Sequence, residues 1–206
     1  MTRKRGHGHE AQLRHLLAQE AARIMAEQAI RDFGQAKRKA AARLGVESTR
    51  NLPNNREIEA AFEEYLRLFR ADSQPSQLRR LREAAVEAMR MFDRFRPRLV
   101  GPVLNGTADE NSPVNLHLFA DTAEEVDLFL MDRQIPYRVD SRTLKLGPDE
   151  SATFPVYRFV AGDAPIELTV FTERSRRPPL SPVDGRPMQR AALDRVEALL
   201  AEAAGA

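Results

Sequence analysis

At 206 residues the chain is long enough for one well-buried core, or one core with a helical extension. It has no cysteine, which excludes disulfides, thiolate metal sites and a thiol nucleophile. The net charge of +2 hides an asymmetry: through Arg56 twelve Lys or Arg stand against five acidic residues, so the first quarter is strongly basic and the remainder net acidic.

With 42% apolar and 30% charged residues, the composition suits a protein with much exposed helix. No apolar run approaches the ~18–20 residues that a membrane span requires. The start Arg3-Lys4-Arg5 leads into Gly6-His7-Gly8-His9 and polar sequence, without the apolar centre of a signal peptide. The expectation is a cytoplasmic protein with no membrane contact. A basic arm on a less basic body suits a polyanionic partner, because phosphate contacts release counterions; a solvated helix face fits the same residues. His7 and His9 could hold a metal only loosely on such a terminus.

Helical periodicity runs first. Over 10–44, Leu13, Leu16, Leu17, Ala21, Ile24, Met25 and Ile30 recur near a 3.6-residue period; Gly45 is a stop, and Gly34 marks a place where the segment divides in two. The turn Asn51-Leu-Pro-Asn-Asn55 offers Asn54 or Asn55 as the cap of a helix over 57–69, whose stripe is Ile58, Phe62, Tyr65, Leu66 and Phe69. After Ser73-Gln-Pro-Ser76 a further helix over 77–95 carries Leu78, Leu81, Ala85, Met89 and Phe92 toward a core.

At Pro97 the pattern becomes extended. Strands are predicted over 98–104, 114–119, 137–146, 153–160 and 165–171, with a helix over 122–134 capped by Thr122 and Glu125. A Pro/Arg-rich connection over 174–187 contains the turn Asp184-Gly185, and a helix over 188–204 ends the chain. The fold class is α+β, with a basic helical region over 1–96, a mixed sheet with flanking helices over 97–173, a linker over 174–187 and a C-terminal helix over 188–206.

One stretch carries a family likeness. Leu99-Val-Gly-Pro-Val-Leu-Asn-Gly-Thr107 is an apolar run ending in a Gly-Thr pair, and Pro113-Val-Asn-Leu-His-Leu-Phe119 follows after a short polar loop. The order resembles the signature of the nucleotidyltransferase superfamily, the polymerase-beta-like fold, and the likeness extends from about Leu99 to Phe171. The resemblance implies a nucleotidyltransferase-like sheet in which Gly106 and Thr107 hold phosphate, with Arg98, Arg142 and Lys145 as further nucleotide contacts. It puts Asn115 and His117 at the positions of two metal-binding carboxylates and Glu167 at the third. The family's chemistry uses divalent ions, Mg²⁺ or Mn²⁺, on oxygen ligands. Asn is a neutral ligand and His offers nitrogen, so Glu167 alone keeps a carboxylate, and the metal would rest on His117 and Glu167. A softer metal at His117 is one alternative, a degenerate centre another. The residues themselves allow blander roles: a satisfied histidine on a half-buried strand, and a Glu167 paired with Arg158 or Arg138 across the sheet.

Competing motifs are absent from the sequence. There is no P-loop, no G-x-S-x-G elbow and no HExxH. Arg174, Arg176 and Arg177 beside Pro178-Pro179 suit either a phosphate grip or a solvated linker. Two functions stand open. One is a nucleotidyltransferase-like protein that binds a nucleoside triphosphate, and transfers a nucleotidyl group if its centre is intact. The other is a non-catalytic adaptor binding RNA or a protein through Lys37, Arg38, Lys39 and Arg43. The helices neither demand nor exclude dimerisation.

Overall fold

The computed structural model describes residues 3–46, 52–172 and 177–204, with backbone alone at 3–9 and 204. The fold is α+β, and it divides into two compact units, 1–73 with 182–184, and 74–181 with 185–206. The sequence expectation set a boundary at 96, where helical periodicity ends. The contacts instead group the helix before it with the sheet, because that helix spends its apolar stripe there.

The first unit is built from α1 (Arg3–Gln28), α2 (Phe33–Arg43) and α3 (Asn55–Phe69). Alanines at 18, 21, 22, 36 and 40 let the helices approach closely around Leu17, Ile24, Ile58 and Phe62. The break between α1 and α2 falls at Ala29, whose φ is +53°, and not at Gly34, which sits in the first turn of α2. Asp32 then caps α2 by accepting the Gln35 N–H at 2.5 Å. Of the two expected caps for α3, Asn54 serves: it accepts the Glu57 N–H at 2.9 Å while Glu57 accepts the Asn54 N–H at 2.6 Å, a reciprocal pair that satisfies two donors at the helix start. Lys39 and Arg43 reach back from α2 to Gln28 (2.7 Å) and Glu20 (3.1 Å) on α1.

The second unit opens with α4 (Gln74–Met91) and a 3-10 turn at Asp93–Phe95. Then come β1 (Arg98–Val100), α5 (Pro102–Asn105), β2 (Val114–Ala120), α6 (Glu124–Asp132), β3 (Arg138–Lys145), β4 (Ser151–Ala161), β5 (Ala164–Thr172) and α7 (Leu193–Ala204). The strand predicted over 98–104 stops at Val100 because Gly101 turns the chain (φ +73°) and Pro102 starts a helical turn. The final helix starts at Leu193 rather than 188: Ala191 exchanges both backbone hydrogen bonds with Leu99 at 2.9 Å, which holds the chain extended beside β1. On α6 the expected cap is half present, since Glu125 accepts the Thr122 N–H at 3.3 Å but the helix begins at Glu124 with no side chain capping it.

The sheet order is β1-β2-β5-β4-β3, with β2 and β5 parallel and the other pairs antiparallel. Alternation along the strands separates two faces. Leu116, Leu118, Ile166, Leu168, Tyr157 and Phe159 enter the main core with Leu81, Met89, Phe92 and Phe95, and α5, α6 and α7 add Val103, Leu130 and Val196. Each large side chain so buried contributes about 1.5–3 kcal/mol. The second face carries a smaller apolar cluster of Phe119, Leu146, Phe154 and Phe171, and beside it the polar strand residues. Among the described residues no helix is long and apolar enough to cross a membrane.

Candidate functional site

Of the residues that the sequence singled out, the second face gathers Asn115, His117, Glu167, Arg98 and Arg142. Asn115 on β2 pairs in register with Glu167 on β5, and Glu167 with Arg158 on β4; one step along, His117 faces Arg98 on β1 and Thr169 on β5. The period of two along β2 thus puts Asn115, His117 and Phe119 on one side, and Arg142 joins them from β3.

Glu167 is engaged in an ion network. One carboxylate oxygen accepts from Arg142 Nη2, the other from Arg158 Nε at 2.9 Å, and Arg158 also donates to Asp140. Between the two blander options for its partner, Arg158 and Arg138, the first is bonded, and Arg142 adds a second guanidinium. Burial of the Arg158 guanidinium works against its charge, but the hydrogen bonds to Asp140 and Glu167 outweigh it and its pKa rises. The Ser141 N–H, followed by Arg158, holds Asp140 below the usual carboxylate range.

His117 is 3% exposed and stacks on Phe171 with ring centroids 4.6 Å apart. Its Nδ1 accepts the Nε–H of Arg190 at 3.0 Å. Burial, then Arg190 and Arg142, push its pKa down to about 3. The imidazole is therefore neutral at pH 7 and carries its proton on Nε2. Arg190 lies over Phe171 and Phe119, 4.7 and 5.0 Å from the ring centroids. Burial and the neighbouring charge of Arg98 pull its pKa to about 10. Its orientation follows from the Leu99–Ala191 bridge: Ala191 is buried in the main core, so alternation turns Arg190 to the second face. Sequence reasoning did not find Arg190, because it lay inside a segment predicted as helix.

The remaining predicted residues are dispersed. Gly106 (φ +86°) caps the C-terminal end of α5, and the N–H groups of Gly106 and Thr107 both donate to the Pro102 carbonyl, at 2.9 and 3.0 Å. The glycine that turns a strand into a helix is Gly101, and a Cβ there would lie 3.6 Å from Asn115 Nδ2. The Gly-Pro pair directly after a β-rich run was the signal for it. Asn115 itself donates to the Pro113 carbonyl at 3.1 Å. Arg98 donates to the adjacent Pro97 carbonyl at 3.0 Å. Lys145 falls by alternation on the other side of β3 from Arg142, and its carbonyl accepts the Leu180 N–H at 2.7 Å. Lys37, Arg38, Lys39 and Arg43 belong to the first unit, on α2, where burial lowers the Lys37 pKa and Arg38 is exposed. Arg174 and Arg176, and the side chains of His7 and His9, lie outside the described residues.

The donor set does not fit a pair of divalent ions as folded. Both oxygens of Glu167 are bound by guanidinium, His117 Nδ1 accepts a proton bond, and no group of three or more His, Asp or Glu forms a metal cluster among the described residues. Among the described residues the face gathers the guanidinium groups of Arg98, Arg142, Arg158 and Arg190 and the carboxylates of Glu167 and Asp140. Comparison of the chain with family models, curated proteins and solved structures finds no match in any of the three.

Proposed function

We propose that the sheet unit is a nucleotide-binding domain of nucleotidyltransferase-like build, which grips the phosphates of a nucleoside triphosphate with arginine side chains and not through a pair of bound metal ions. The observation that carries this reading is the gathering of Arg98, Arg142, Arg158 and Arg190 on the second face, with Glu167 already bound by two of them. Arginine suits phosphate because its planar fork matches two oxygens at once and stays charged when partly buried. A centre with Asn115 and His117 in place of carboxylates is degenerate for two-metal transfer, so binding without turnover is expected.

The test is calorimetric titration of the whole chain with the four ribonucleoside triphosphates in Mg²⁺, in Mn²⁺ and in EDTA at fixed ionic strength. Binding that persists in EDTA is the expected result. Binding that requires metal, or no binding at all, overturns it.

A second reading, an adaptor for RNA or a protein, draws support from the basic balance of the first quarter and from the exposed Arg38 on α2. Lys39 and Arg43 help to join α2 to α1, which leaves fewer free cations there than the sequence suggests. If this reading holds, Arg38→Gln weakens binding of a mixed-sequence single-stranded RNA and lowers the salt slope by about 0.7. An unchanged slope counts against it.

A further inference from the structure

We propose that the outer edge of β3 is a self-pairing surface, on which a second copy of this chain lays its own β3 antiparallel about a two-fold axis at Val139. The inference is independent of the nucleotide reading.

The two edges of the sheet are finished differently. At β1 the chain covers the edge itself, since Ala191 exchanges both backbone hydrogen bonds with Leu99. β3 is the other outer strand, and its end alone is covered: the Lys145 carbonyl accepts the Leu180 N–H at 2.7 Å. That bond fixes which backbone groups point outward. The pairing of β3 with β4 runs without interruption from Arg138 to Lys145, so Val139, Ser141 and Thr143 share the outward direction of Lys145. The Ser141 N–H is taken by the neighbouring Asp140 carboxylate at 2.7 Å, whereas those of Val139 and Thr143 meet no outer strand among the described residues. Such outward groups are a template for a further strand. The side chains agree with this. Val139 is 59% exposed although it shares the core face with its pair partner Tyr157. The Tyr137 hydroxyl, just before β3, donates to Asp127 on α6, and Met131, one turn beyond Asp127, is equally exposed.

Charge selects the occupant. Arg138, Val139 and Asp140 run positive, apolar, negative, so a two-fold axis at Val139 sets each Arg138 opposite the partner subunit's Asp140 and packs the two valines together. Arg138 is exposed and in no ion pair among the described residues. Asp140 accepts from Ser141 and Arg158 on separate oxygens, which leaves each a lone pair to spare. Other registers fit less well. An axis at Ser141 opposes two N–H groups that Asp140 already holds, and an axis at Thr143 needs the Lys145 carbonyl that Leu180 occupies. A strand of another protein would have to bring the matching order of charges, whereas a second copy brings it by symmetry.

The experiment is sedimentation equilibrium of the full chain over a wide concentration range, repeated on Val139→Pro. Because the Val139 N–H points outward, proline there removes the central bonds of the paired edge and none from the ladder with β4. The parent chain should be dimeric at concentrations at which Val139→Pro is a monomer, with circular dichroism showing that the variant folds. Register is read by cross-linking, which the absence of native cysteine makes clean. Directly opposed residues in such a pair have Cα atoms about 5.5 Å apart, within disulfide reach. Val139→Cys should therefore give a covalent dimer on oxidation with copper phenanthroline. Ser141→Cys should not, since its counterpart lies about 13 Å further along the strand. Should Val139→Pro unfold, the cross-linking decides. A parent chain that stays monomeric throughout overturns the proposal and leaves the edge to a strand of another protein. A dimer that survives in folded Val139→Pro, or that fails to cross-link through Val139→Cys, overturns it as well. Cross-linking through Ser141→Cys as fast as through Val139→Cys overturns the axis at Val139.

Discussion

The two faces of one sheet are made of the same strands, residue by residue in alternation, yet they are put to different uses. On the helix-covered face β2 offers Val114, Leu116 and Leu118, all fully buried with apolar neighbours. On the other it offers Asn115, His117 and Phe119, set among arginines and two carboxylates. Apolar burial is tolerant of sequence detail, since any side chain of suitable volume serves. Buried polar groups are not, because each must find its partner or destabilise the fold. The second face is therefore where chemistry can be sought, and where single substitutions should alter binding as well as stability.

The largest contrast comes from the covered face. Phe92 is fully buried and packs on Phe95, Phe129 and Phe159, so Phe92→Ala should lose about 3–5 kcal/mol in urea unfolding. Where the protein still folds, anion affinity should stay as it was, and a selective loss of affinity would blur the division between faces.

Next comes the pH dependence of the second face. His117 has a folded pKa near 3 and an ordinary unfolded value of 6.5. Below pH 6.5 the unfolded chain takes up a proton that the folded chain refuses until about pH 3, so stability falls as the pH drops through that window and is unaffected above it. The slope attributable to this residue is at most about 1.4 kcal/mol per pH unit. Unfolding curves at pH 7.5, 6 and 5 should be less pH-dependent in His117→Gln than in the parent; equal slopes would mean that the imidazole is not buried neutral.

A smaller effect, in two directions, is expected at Glu167. Its side chain is 16% exposed, and Arg142 and Arg158 are 36% and 38% exposed, so solvent screens part of what Glu167→Gln removes. A loss of about 1–2 kcal/mol is expected, together with tighter anion binding, since a negative charge has gone. A metal ligand would give the opposite sign of change in affinity. Arg138→Gln should do least. The residue is exposed and in no ion pair among the described residues, so stability should move by less than about 0.5 kcal/mol. A large change would extend the site to the sheet edge.

Much of this architecture could be read from residue order. The helical stripes around Ile58, Phe62 and Leu81 and the alternation of β2 are periodic signals, and periodicity reports which side of an element is buried. Asn54 and Glu57 advertise a capping box by spacing alone. The site was harder. Residues 115, 117 and 167 stand out through the family resemblance, but spacing along a strand does not say which residue of a distant segment arrives beside them. Arg190 reaches His117 only because Ala191 bridges Leu99, a pairing that spans most of the unit and leaves no local trace. Gly106 and Gly101 illustrate the same limit at short range: both adopt positive φ, but one closes a helical turn and the other opens it.

The parallel pairing of β2 with β5 bears on how the protein acquires its site. β3, β4 and β5 follow one another through short turns and can zip together locally, whereas β2 must find β5 across the whole of α6 and that hairpin array. Contacts so distant in sequence form late, because the closing chain has the most entropy to surrender. The seam between β2 and β5 is also where Asn115 meets Glu167 and His117 meets Thr169. A chain stalled before that closure has a packed hairpin but no assembled site, and a ligand of the finished seam draws the population through the last step by mass action.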